Sequence, residues 1–296
     1  MGRADLALLA TGEVPLREVS GLAVAPGADG RPILLAVGDH GPDLAHAPLL
    51  PAGADGPLTG EWQLLDLSAL DGPAGLRPGQ QGEAVAADGA GTVVVLVEDP
   101  ACVHVVDLAG GRLVATVALD AAALPDVGPA WAADPTSRGE GLLLLRGGRL
   151  LVVKEKHPAG LLEFGPPGTA AAGVGPSTLL PATGRWTPPE TFVLQALAWW
   201  PLDGDLDDLS DAEVAPDGRV YLLSDQSRAV GRLAGPLTPG TGPARLDAVW
   251  RLGKHAEKAE GLAVLPDGSL LVAVDRPKVG RNVARFASPG SGRHAR

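Results

Sequence analysis

Short apolar runs, broken by Gly-containing turns, recur along this chain, and the most regular copy reads EGLAVLPDGSLLVAVD (260–275). Its relatives are SGLAVAPGADGRPILLAVGD (20–39), EAVAADGAGTVVVLVED (83–99), EGLLLLRGGRLLVVKE (140–155) and SDAEVAPDGRVYLLSD (210–225). Two apolar segments of strand length around such a turn predict a β-hairpin. An acidic or hydroxyl residue opens every copy and a carboxylate closes it.

The openings at Ser20, Glu83, Glu140, Ser210 and Glu260 are 63, 57, 70 and 50 residues apart. Long periods with short strands predict a four-stranded sheet per repeat, as in a β-propeller. Further strands follow the hairpins: EWQLLDLSAL (61–70), CVHVVDL (102–108), RLVATVALD (112–120), AVGRLAG (229–235) and ARLDAVWRL (244–252). The fifth repeat supplies only three strands before the polar tail 288–296, which is expected to be mobile. DLALLATGE, within residues 1–14, is the donor of the missing strand, and its pairing would close the ring and remove open edges. The expectation is an all-β, five-bladed propeller forming one domain over residues 1–296. A six-bladed ring would need a degenerate blade within 166–209. The segment AALPDVGPAWAADP is too interrupted by Pro and Gly to predict a stable helix.

Residues equidistant from a hairpin turn lie side by side at its open end. Glu260 with Asp275, Ser210 with Asp225, and Glu140 with Glu155 are such pairs. In a propeller, both ends of each hairpin emerge around one mouth of the central channel. The inner ring would be Ser20, Glu83, Glu140, Ser210 and Glu260, flanked by Asp39, Asp99, Glu155, Asp225 and Asp275. Crowded carboxylates repel and raise one another's pKa, and a hard cation relieves this. Ca²⁺ suits an all-oxygen set of flexible geometry better than Mg²⁺, and soft metals lack thiolates or clustered imidazoles here. The same side chains, the closing series above all, would alternatively bond backbone N–H groups of neighbouring blades.

Lys154, Lys156, His157, His40 and Arg276 flank the closing carboxylates. They would either hold a small anionic ligand at the mouth or pair with the acids beside them. Trp131, in the loop before Glu140, is a candidate lid over the ligand. The sequence contains no GxSxG, HExxH, P-loop or post-strand GxGxxG motif.

With 45% hydrophobic but only 3% aromatic residues, Leu, Val and Ala must fill the core. A formal charge of -11 opposes nucleic acid as a partner. Cys102 is the single cysteine, so no intrachain disulfide forms, and its apolar context reads as a buried, inert thiol. No apolar run approaches the length of a membrane helix and no leader is evident, which reads as cytoplasmic.

The segments LVVKEKHPAGLLEFGP (151–166), DLSDAEVAPDGRVYLLSDQSRAV (208–230) and AEGLAVLPDGSLLVAVDRP (259–277) resemble the SdiA-regulated family of bacterial β-propellers, themselves distantly similar to NHL-type and phytase-like propellers. The resemblance implies a five-bladed ring with a calcium site at the channel and no established reaction, with Glu83, Glu140 and Glu260 as ligands. Ser20 and Ser210 stand where that pattern has Glu. Two functional readings follow: a calcium-binding propeller with a small-ligand site, or a metal-dependent hydrolase of lactones or phosphoesters with His40 or His157 as general base.

Overall fold

The computed structural model describes residues 4–27, 29–51, 57–72, 76–77, 80–276 and 280–290. Residues 1–3 of the expected closing stretch and 291–296 of the expected tail lie outside them. Two strands, β1 (Ala4–Asp5) and β2 (Leu8–Gly12), precede an antiparallel group of β3 (Val19–Pro26), β4 (Pro32–Gly38), β5 (Asp43–Pro48) and β6 (Gln63–Asp66). The second group is β7 (Ala84–Ala87), β8 (Thr92–Val97), β9 (Cys102–Asp107) and β10 (Arg112–Asp120). Helix α1 (Gly128–Ala133) leads to the third: β11 (Gly141–Leu145), β12 (Arg149–Lys154), β13 (Gly160–Gly165) and β14 (Val193–Asp203). The fourth is β15 (Asp211–Val214), β16 (Val220–Ser224), β17 (Ala229–Leu233) and β18 (Ala244–Arg251). The last holds β19 (Ala259–Val264), β20 (Leu270–Val274) and β21 (Val283–Phe286), with β2 paired antiparallel to β21.

The hydrophobic pattern explains these positions. Innermost strands pack on both faces, so β11 reads GLLLL and is buried throughout. The peripheral β10 has one wet face and alternates buried with exposed residues. At Pro216-Asp217-Gly218 and Pro266-Asp267-Gly268 the Asp carboxylate accepts the N–H two residues on, from Arg219 and Ser269, and each Gly takes φ of 80°. Pro and Asp set up such turns, and only Gly enters the left-handed region without strain.

Five apolar clusters each lie between two successive groups: Val85 with Leu35, Leu144 with Val94, Leu222 with Leu143, Leu262 with Leu223, and Leu22 with Ala263. The last of these joins the final group to the first, so the packing runs in a ring. The inner strands β3, β7, β11, β15 and β19 neighbour one another in the same cyclic order. Outer strands also join: β14 runs parallel to both β10 and β18, and β1 runs parallel to β18. Three groups thereby merge into one 13-stranded sheet.

The stretch 166–209 forms no sheet of its own; β14 within it is the outer strand of the third group. Residues 166–192 instead cross one end of the ring. Leu179 bridges Leu145, and Val174 bridges Leu237. Buried Glu163 holds this crossing by accepting from Ala172 and Gly173 N–H while pairing with Arg149 at 2.7 Å. Asp88 of the second group accepts from Trp186 N–H at 2.8 Å.

α1 departs from the sequence expectation. Pro129 sits in its first turn, where no amide hydrogen is needed, so proline starts this helix instead of breaking it. Among the described residues, no helix is long and apolar enough to cross a membrane.

Candidate functional site

The register displaces the closing carboxylates by one residue from the expected pairing. Opposite Asp211 stands Leu223, which puts Ser224 beside Ser210 and Asp225 one step beyond. Gly141 faces Val153, so Glu140 meets Lys154 and Glu155 lies one step on. In β19 a bulge between Ala259 and Gly261 takes up Glu260, and Asp275 N–H bonds Lys258 O. Side chains alternate faces along a strand, so one residue of offset turns the closing acids out of the hairpin and towards the next group. In the second repeat the residue in this place is Glu98, not Asp99: Ala84 faces Leu96, and Glu83 N–H bonds Leu96 O. The Asp99 side chain is 75% exposed and 3.8 Å from Arg138.

Several closing acids tie adjacent groups together. Glu98 accepts from Arg138 N–H, and from Gly139 N–H at 2.9 Å. Asp225 accepts from Ala259 N–H at 3.1 Å, and Ser210 Oγ accepts from Asp225 N–H at 3.1 Å. The buried Ser20 hydroxyl donates to Gly82 O, joining the first group to the second.

The opening acids behave differently, because they share a low-dielectric space. Burial pushes Glu83 up to about 9, and the charges of Asp39, Glu98 and Glu260 add to it. Glu260 rises to about 8 through burial, then Asp225, Asp39, Glu155 and Asp275. Glu140 is driven well above the carboxylate range by burial and by Glu98, Glu83, Glu260 and Glu155. Glu98 rises to about 7, burial outweighing its two N–H donors. Burial also raises Asp39, which lies beside Glu83. Asp39 Oδ1 and Asp275 Oδ1 are buried without a hydrogen-bond partner. Across three groups, Glu140 thus feels the charges of Glu83 and Glu260, and Glu83 feels that of Glu260.

The cations of the rim are largely engaged. Lys154 is fully buried and its Nζ donates to Ser137 O at 2.8 Å and Lys156 O at 2.7 Å, which fixes the loop. Lys156 pairs with Glu155 at 2.5 Å and Lys258 with Asp275 at 2.6 Å. His40 Nδ1 lies 2.9 Å from Glu18. His157 and Arg276 are exposed. Trp131 is buried against Phe164, with ring centroids 5.4 Å apart, so its indole belongs to the core between the second and third groups. Cys102 is buried too, and burial pushes its thiol up to about 11.

The donor set at the mouth is all oxygen, which fits a hard cation and no soft one. Among the described residues, no three His, Cys, Asp or Glu side chains are already gathered closely enough to grip an ion. The fit is therefore one of chemistry and unmet acceptors: Asp39 Oδ1 and Asp275 Oδ1 lack donors, while the neighbouring Glu side chains keep protons that a cation would displace.

No family model and no curated protein matches the chain. Solved structures do resemble it. Glutaminyl cyclase from Myxococcus xanthus superposes with a TM-score of 0.53 at 12% identity, over 96% of this chain and 95% of that one. A calcium-binding protein, regucalcin, from Agrobacterium tumefaciens gives 0.50 at 13% identity, over 97% of this chain and 95% of that one. At such identities the likeness concerns fold alone, and it places this all-β chain among propeller-like proteins.

Proposed function

We propose that this chain is a five-bladed β-propeller, closed by β2, whose acidic mouth binds Ca²⁺, a reading that keeps the resemblance to the SdiA-regulated family. The carrying observation is that Glu83, Glu140 and Glu260 open inner strands of three groups and that the charges of Glu83 and Glu260 raise Glu140, and that of Glu260 raises Glu83. With Asp39 and Asp275 they offer a cation carboxylate oxygens, two of them without any donor at present. Ser20 and Ser210 take the smaller part in this reading, because their hydroxyls already serve Gly82 O and Asp225 N–H.

A bound cation would supply positive charge and Lewis acidity at the channel opening. The chain's own groups do the rest. The closing acids Glu98 and Asp225 hold adjacent blades in place, and buried Lys154 pins the loop above Glu140. A small anionic ligand approaching the mouth would be drawn by the cation itself, with exposed Arg276 at the rim, since Lys154 and Lys156 are spent on carbonyls and on Glu155. The hydrolase reading has less behind it: His40 is turned to Glu18, and His157 is exposed and is not among the groups that act on Glu140. That calcium-binding regucalcin shares the fold is consistent with the cation reading.

Calorimetric titration with CaCl₂, with thermal melts in EDTA and in excess Ca²⁺, tests the proposal. Saturable binding and a melting temperature that rises with Ca²⁺ support it, and Glu140→Gln should suppress both. Indifference of the wild-type protein to chelator and to added Ca²⁺ would remove the metal from the account.

A further inference from the structure

At the opposite end of the inner strands lies a cavity of about 630 Å³. The larger part of its wall is apolar: Ala23, Ala87, Leu142, Leu144 and Val264 come from inner strands of different groups, and Leu180 from the crossing segment. That segment is fastened over this end, with Leu180 N–H on Leu144 O at 3.1 Å and Arg146 N–H on Thr178 O at 2.8 Å. The cavity is thus walled by a dedicated insertion of the third repeat as well as by the ring.

Two acids line this space, Asp217 at its exposed rim and Glu213 deeper on the strand. Glu213, on β15, lines the cavity three residues past Ser210, about 10 Å along the strand. Val214 N–H donates to its Oε1 at 2.7 Å, which fixes the carboxyl group and leaves Oε2 for a visitor. The charged groups around it are few. Asp211 on the same strand is itself bound to Leu262 N–H and Ala212 N–H, and Arg146 and Asp217 stand exposed at the rim, Asp217 beside Arg219. An oriented carboxyl group set among apolar side chains in a pocket of this size is the arrangement of an orienting contact in a small-molecule site.

We infer that this cavity is a second binding site, for a primary amine carried on an apolar body, with Glu213 receiving the ammonium group and Ala87, Leu142, Leu144 and Val264 enclosing the hydrocarbon. The site is independent of the cation proposed for the other mouth, and calcium should leave its affinity unchanged. Burial alone raises Glu213 to about 8, so at neutral pH the empty cavity holds the neutral acid. Binding an alkylammonium ion makes Glu213 ionise: its proton passes to solvent and the carboxylate pairs with the cation. Affinity for the ammonium form should then rise about 50-fold between pH 6 and pH 8, as the ionised fraction grows.

n-Hexylamine titrated into the full chain by calorimetry is the test, with n-hexanol and hexanoate as matched probes. Expected results are saturable binding of hexylamine, release of one proton read from the difference between phosphate and Tris buffers, and the rise with pH. Glu213→Gln should weaken hexylamine at least tenfold while hexanol is unaffected. Ala87→Leu fills the cavity without touching Glu213 and should weaken both, so the proposal stays testable even where one variant folds poorly. Hexylamine and hexanol binding equally, uptake without proton release, unchanged affinity in Glu213→Gln, or no binding at all would each overturn it.

Discussion

The two ends of the inner strands bury carboxylates in opposite company. At one end Glu83, Glu140 and Glu260 stand among other acids, so burial and mutual repulsion act together on their protons. At the other, Glu213 stands among Ala, Leu and Val, and burial raises it against the one N–H bond from Val214. Both ends favour the neutral acid, yet different partners relieve them. A crowd of carboxylates calls for a concentrated charge such as a divalent cation; a solitary one needs a single ammonium group. The strands are alike, and their neighbours set the chemistry.

The strongest way to break this contrast is calcium itself. At one hundred times its Kd, a ligand bound only by the folded chain adds about 2.7 kcal/mol. The melting temperature should therefore rise by several degrees in wild type and in Glu213→Gln, and hardly at all in Glu140→Gln, as followed by circular dichroism. An equal response in all three proteins would dissolve the distinction between the two ends.

The next effect is on pH dependence without calcium. Glu83, Glu260 and Glu98 keep their protons to about 9, about 8 and about 7 in the fold, whereas a free Glu loses its own near 4.5. Their contribution to stability is complete below pH 4.5 and is lost as pH rises through the folded values. Urea unfolding at a series of pH values should show metal-free stability falling from about pH 4.5 to pH 9. Saturating Ca²⁺ should flatten that fall. A stability that climbed over this interval would contradict the acid-rich mouth.

A smaller effect separates Glu98 from its neighbour. Glu98→Ala leaves the Arg138 and Gly139 amides without their acceptor and should cost about 1–3 kcal/mol in urea unfolding. Asp99→Ala, at a largely exposed side chain, should stay within about 0.5 kcal/mol. Equal losses would return Asp99 to the ring.

At acid pH the smallest effect is expected at Glu213. Glu213→Gln exchanges a neutral acid for a neutral amide, and Val214 N–H keeps an acceptor. Near pH 4 stability should therefore change little. Between about pH 4.5 and pH 8 the decline should become shallower, which leaves the variant the more stable protein at pH 7 in the same urea series.

Much of the fold was legible because it is written in local pattern. The PDG turns, the double-sided apolar runs and the spare strand 8–12 all announce themselves in sequence. The site was legible in part. Glu83, Glu140 and Glu260 stand out as opening residues from their place before the first apolar run of each hairpin, whereas counting from the turn points to Asp99 where the structure has Glu98. Counting from a turn cannot see a register offset of one, nor the bulge that absorbs Glu260. The available signal was Glu98 itself, the residue directly after TVVVLV. The loop before Glu140 suggests a lid at Trp131, whereas this residue lies on α1 and its indole packs on Phe164 of β13. Glu213 escaped notice because one acid in SDAEVAPDG looks like an ordinary polar residue beside a turn.

The sequence alone determined that this chain makes hairpins in five copies with polar ends, since strand and turn preferences act over a few residues. Tertiary structure alone decided which acids share a space, which cations are already taken, and that the segment 166–192 walls a cavity at the far end. Those outcomes depend on groups brought together from distant parts of the chain, where burial and Coulomb repulsion depend on three-dimensional distance and carry no trace in local order.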